Sequence, residues 1–150
     1  MLKRLLRKKN EKGQSLIELA MGMIVLLILL GGIIDLGRVL FYFIAMRDAV
    51  EEGAVYGSIN PTHCDEIKER VRSAVPDGDA LTVTVTIGGT NCVSSLATAC
   101  TGNKMHITAT HNNFRLTMPF MTAFLGDAPL KLTTDVDQTI LRNKCPNTAP

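Results

Sequence analysis

The stretch that decides the fold is Lys12 to Asp35, KGQSLIELAMGMIVLLILLGGIID. From Leu19 to Ile34 it holds no charged or strongly polar residue, and counting back to Leu16 only Glu18 interrupts the apolar run. A membrane-spanning helix needs about 20 apolar residues at about 1.5 Å each, so residues 16–34 are just long enough. A strand of that length is rare, and a core helix of a soluble domain would show a polar face, which this run lacks. The flanks set the expected orientation. Residues 1–13 carry Lys3, Arg4, Arg7, Lys8, Lys9 and Lys12 against Glu11, while Asp35 to Glu52 is mixed and net acidic. The positive-inside rule then places the N-terminus in the cytoplasm and the chain beyond about residue 36 outside. The run exceeds the ~7–15 residues of an ordinary signal-peptide core. No small-residue cleavage site follows it, since Ile34-Asp35-Leu36-Gly37 is a poor junction.

Glu18 needs its own account. An ionisable group in a spanning helix costs about 2.5–3.5 kcal/mol at the bilayer centre and less near an end. Taken alone, Glu18 is an interfacial carboxylate favoured by the helix dipole. It is not alone: Gly13 ends the basic segment at a fixed distance before it.

Gly13-Gln14-Ser15-Leu16-Ile17-Glu18 resembles the processing site of type IV pilins and pseudopilins. The resemblance implies a short basic leader cut after Gly13 by a membrane-embedded prepilin peptidase, leaving Glu18 as the fifth mature residue. Gln14 departs from the Phe or Met often first in type IVa pilins; the Tad/Flp branch is looser there. The longer stretch GQSLIELAMGMIVLLILLGGIIDLGR, followed by RDAVEEGAVYGS, is similar to TadE-like pseudopilins of the Tad/Flp pilus system. That similarity is dense over 13–58 and generic over 59–150. It implies a structural subunit, processed and assembled through Gly13, Gln14 and Glu18, with the membrane, the prepilin peptidase, other pilins or pseudopilins and the Tad assembly machinery as partners. It also implies adhesion or pilus biogenesis as the role, and a path from the inner membrane to the pilus or cell surface. Major Flp-type pilins are usually much shorter, which favours a minor subunit over a major pilin. The competing class is an uncut single-pass membrane protein with an extracellular binding or sensing module.

The expected organisation is a leader at 1–13, a long helix at 14–58 and a small extracytoplasmic domain at 59–150. The whole chain has a net charge of +2. Without the leader it holds 10 Lys and Arg against 13 Asp and Glu, a net −3. The basic balance therefore belongs to the leader and is no argument for nucleic-acid binding. Beyond the span, Leu36, Val39, Phe43, Met46, Val50, Gly53 and Gly57 recur near a 3.5 period and predict a packing face. Gly31-Gly32 reads equally as a close-packing face or a soft point in the helix.

Asn60-Pro61 ends the helix. Asp65 to Val75 reads as a short helix with Thr62 in a capping role. Leu81 to Ile87 alternates as a half-buried strand, Met105 to His111 is a second and Leu130 to Leu141 a third, with room for a fourth. Asn113 to Gly126 is apolar and aperiodic and reads as a loop or short helix, filling the core or meeting another subunit. The fold class is α+β: a long N-terminal helix on a small, disulfide-stapled antiparallel sheet.

All four cysteines, Cys64, Cys92, Cys100 and Cys145, lie beyond the span, where an oxidising compartment favours disulfides. Of three pairings, Cys92–Cys100 with Cys64–Cys145 is preferred, and the cross pairings remain open. Thr62-His63-Cys64-Asp65-Glu66 contains metal-ligand types without metal-site spacing. His106 and His111, five apart on a strand, face opposite sides. No nucleophile elbow, P-loop or dinucleotide fingerprint occurs. The expectation is a non-enzyme without cofactor or metal.

Overall fold

Helix α1 runs unbroken from Glu11 to Ile59. Its 49 residues give a rod of about 74 Å at the usual rise, and Asn60-Pro61 ends it as expected. The computed structural model describes residues 11–116 and 129–143.

The helix has two different surfaces. Between Gly13 and Leu30 almost every residue is exposed, including the large apolar side chains from Leu16 to Leu30. Water would oppose such a surface; lipid would not. Further along, one stripe is buried: Asp35, Tyr42, Met46, Val50, Gly53, Ala54, Gly57 and Ser58. The expected seam is correct from Met46 onward. Val39 also packs against the core, but the seam is displaced by one residue at two earlier positions, where Leu36 is 60% and Phe43 38% exposed. Asp35 and Tyr42 stand there instead, because Tyr42 turns toward the sheet and meets His111 and Phe114, each with ring centroids 5.2 Å away. Gly53 and Gly57 have no room for a side chain: a Cβ on Gly53 would strike Val71, and one on Gly57 would strike Met105.

Helix α2 spans Cys64–Ser73. It starts one residue earlier than expected, and its N-cap is His63 without a side-chain cap bond rather than Thr62. The sheet comprises β1 (Leu81–Ile87), β2 (Thr90–Asn91), β3 (Lys104–Phe114) and β4 (Leu130–Thr139). All neighbours are antiparallel, in the order β2-β1-β3-β4. Gly88 and Gly89 both have positive φ, as the two-residue hairpin between β1 and β2 requires.

Alternation separates the two faces. Leu81, Val83, Val85 and Ile87 of β1, with Met105, Ile107 and Ala109 of β3, are buried beneath α1 and α2. Ile67 and Val71 of α2 and Met46 and Val50 of α1 close this core. Threonines 82, 84, 108, 110 and 133 alternate with these inward positions and face the other way. One face packed and one solvated is the usual antiparallel arrangement. The fold is the expected α+β.

Strand β3 is longer than its alternating centre predicted, because a register shift between His111 and Phe114 carries pairing past the break. Phe114, expected in the irregular stretch, ends that strand and is buried. Residues 117–126 of that stretch lie outside the described residues, as do residues 1–10 of the expected leader and Cys145.

The preferred cysteine pairing is overturned. Cys64 bonds Cys92, with Cα atoms 5.9 Å apart across a sequence separation of 28. The β1–β2 hairpin returns the chain toward the start of α2, and a 3-10 turn at Cys92–Ser94 sets a fully buried Cys92 under Pro61, whose carbonyl lies 3.6 Å from Sγ. Cys100 is also disulfide-bonded.

Candidate processing and assembly site

Gly13, Gln14 and Glu18 all sit on the first described turns of α1 and are exposed. Gln14 and Glu18 are four apart, so they share one helix face, one turn and about 6 Å along the axis. Gly13 has nothing within 4 Å of where a Cβ would stand. With Ile17 and Met21 these residues line an open depression on the rod rather than an enclosed cavity. No hydrogen bond or ion pair among the described residues reaches the Glu18 side chain. The place is open: nothing stands where a Gly13 side chain would be, and an acidic group lies one turn on from Gln14 on the same face.

The other end of the apolar run carries Asp35, 2% exposed, with Arg38 Nη1 3.7 Å from its carboxylate. Arg47 Nε donates to Glu51 at 3.1 Å on the solvent side, the i,i+4 pair the spacing predicts.

Sequence reasoning missed a cluster where α1 ends and α2 begins. The Tyr56 hydroxyl donates a short hydrogen bond to Glu66. His63 Nδ1 lies 3.3 Å from the same carboxylate. The Arg70 guanidinium stacks 4.1 Å above the Tyr56 ring. The Tyr56 bond holds the Glu66 carboxyl below its usual range, helped by the charges of His63 and Arg70. The same bond raises the Tyr56 phenol above its usual range. His63, Glu66 and Arg70 fall on one face of α2 by their three- and four-residue spacing, which was legible; that Tyr56 of α1 would reach them was not. The cluster is a clasp between helices. Among the described residues no three His, Cys, Asp or Glu side chains converge as metal ligands.

The histidines of β3 do diverge. His106 pairs with Asp137 of β4 at 2.8 Å on the solvent face. His111 is buried, edge-on to Tyr42, with Asp77 4.0 Å from its Nε2. Burial and the nearby Asp77 charge raise the phenol of Tyr42.

Comparison with known proteins bears on the helix. Residues 13–55 match the family model described as TadE-like protein. The matched segment begins at Gly13 and ends within α1, just before the chain turns into α2. No curated protein and no solved structure matches the chain significantly.

Proposed function

Starting from a TadE-like helix at residues 13–55, we propose that this chain is a minor pilin or pseudopilin of a Tad/Flp-type pilus. In this reading the precursor lies in the inner membrane with its N-terminus inside. A prepilin peptidase cuts between Gly13 and Gln14, and the mature subunit assembles through α1. The role is structural, in pilus biogenesis or adhesion, with no catalytic step and no cofactor. Cutting leaves 137 of the 150 residues, a length that favours a minor subunit over a major one.

The observation that carries the reading is the Gly13–Glu18 spacing at the start of an exposed apolar helix that the family match covers. The chemistry is coherent. Residues 11–13 are helical, so a protease must first unwind them. Glycine favours that, costing a helix interior about 1 kcal/mol relative to alanine, and it passes through a narrow cleft without a side chain. The new amino group on Gln14 is a cation at the membrane edge. Glu18, one turn away, is placed to pair with it or with the amine of a neighbouring subunit. Either pairing removes the cost of an isolated carboxylate in low dielectric.

N-terminal sequencing of the membrane-purified protein tests this. A chain beginning at Gln14 is expected, and Gly13→Ala should leave uncut precursor. Retention of Met1 to Gly13 would refute the reading in favour of an uncut single-pass protein. Glu18→Ala should be cut but fail to assemble; normal assembly would end the charge-pairing account.

A further inference from the structure

Strand β4 is ten residues long and, among the described residues, pairs on one side only. The N–H and C=O of Ile140 both bond toward the β3 side, to Asn103 and Gly102. Lys104 C=O, in turn, points away from β4 to Gly88. Alternation then directs the backbone groups of Leu132, Thr134, Val136 and Gln138 to β3. Those of Lys131, Thr133, Asp135, Asp137 and Thr139 face outward. Among the described residues nothing bonds to them. Two usual safeguards of an edge, a proline and a bulge, are missing over this stretch, and its charges are Lys131, Asp135 and Asp137. It holds no proline or glycine, and pairing from Leu132 to Thr139 runs without a bulge.

From this geometry we infer that the open edge of β4 takes up an extended segment of another protein, with a basic side chain set against Asp135. Main-chain bonds from the outward residues would supply affinity, and side chains on the solvent face would supply choice. Asp137 is occupied by His106 at 2.8 Å, and no ion pair among the described residues reaches Asp135, which leaves one fixed, uncompensated acid in mid-strand.

Two-fold pairing with an identical copy is a poor fit. Tyr42 packs on His111 and Phe114, beside the start of β4. Ser58 C=O accepts from Leu141 N and Arg142 N, just past its end. Helix α1 therefore runs in the same direction as β4. A two-fold, antiparallel β4–β4 pairing would turn the second α1 end over end and send its apolar run away from the shared membrane. This exclusion rests on the membrane reading of α1; the open edge does not.

The test uses the full chain, one copy per lipid nanodisc, and a capped peptide alternating valine and lysine. Amide exchange is read residue by residue. In the free protein the amides of Thr133, Asp135, Asp137 and Thr139 should exchange fast while those of Thr134, Val136 and Gln138 are protected. The peptide should slow the first set at least about tenfold. Thr133→Pro removes an outward N–H while sparing the β3 ladder and should weaken binding about tenfold. Asp135→Lys should shift preference to a valine–glutamate peptide. The proposal falls if the outward amides are already protected, if the peptide leaves them unchanged, or if Asp135→Lys leaves the preference unaltered. Protection arising only with a second copy in the disc would assign the edge to self-association and overturn it too.

Discussion

Single residues set how closely the helices approach. Gly53 faces a methyl of Val71, a β-branched side chain with little χ1 freedom, whereas Gly57 faces the terminal methyl of Met105. Gly53→Ala should therefore cost about 1–3 kcal/mol by overpacking, and Gly57→Ala clearly less. Denaturant melts of both variants check the order; equal losses would mean that Val71 yields as readily as Met105. The Tyr56–Glu66 bond titrates in two windows. The Glu66 pKa is depressed in the folded state, so its contribution is present above the unfolded value of about 4.3 and is lost as pH falls through the folded value. The Tyr56 pKa is raised, so its contribution is full below about 10 and is lost as pH rises through the folded value. Tyr56→Phe should flatten the difference in stability at both ends of the pH range while leaving neutral pH least affected in slope. An unchanged pH–stability curve would show that the bond does not hold α2 to α1. At this scale the apolar seam was legible at Val39 and from Met46 onward, where small and large side chains follow the helical period. It was missed at Asp35 and Tyr42 because a search for apolar residues passes over a buried acid and a tyrosine steered by ring contacts.

Elements were easier to read than their connections. The long helix, the alternation of Leu81 to Ile87 and the break at Pro61 are local patterns. The partner of Cys64 is not, because it depends on a two-residue hairpin that reverses the chain and brings Cys92 back across the sheet edge. Nearness in sequence pointed to Cys100, while nearness in space chose Cys64. A bridge closing a 28-residue separation is worth about 3.5 kcal/mol in the chain-entropy account. Replacing both Cys64 and Cys92 by alanine should lower the stability of the sheet domain by about that amount. Non-reducing peptide mapping of the exported protein should recover the two cysteines in one linked fragment. Recovery of Cys92 linked to Cys100 would contradict this arrangement of α2 over the hairpin.

On the scale of the whole molecule, one rod carries a stretch long and apolar enough to cross a membrane and a stretch packed on its own domain. About 30 Å of hydrocarbon accommodates less than half of an α1 some 74 Å long at 1.5 Å per residue. Beyond the expected span one stripe of α1 is covered by the sheet domain, yet Leu36, Leu40, Phe41 and Ile44 remain more than half exposed. Exposed apolar side chains continuing past a span are unfavourable in water and favour a packed neighbour. The domain covers the helix face that includes Tyr42 and Met46, so a neighbouring helix has only the opposite face to use. This separates the membrane contribution from the assembly contribution. In the isolated protein in nanodiscs, a water-soluble maleimide should label Phe41→Cys and leave Val25→Cys untouched. In cells producing the complete pilus machinery, Phe41→Cys should become protected while Thr84→Cys, on the outer face of the sheet, stays reactive. Protection of Phe41→Cys already in the isolated protein would mean that the bilayer reaches a turn or more higher than residue 34. Equal labelling in both states would remove this face from the subunit contacts and leave assembly to the segment within the membrane.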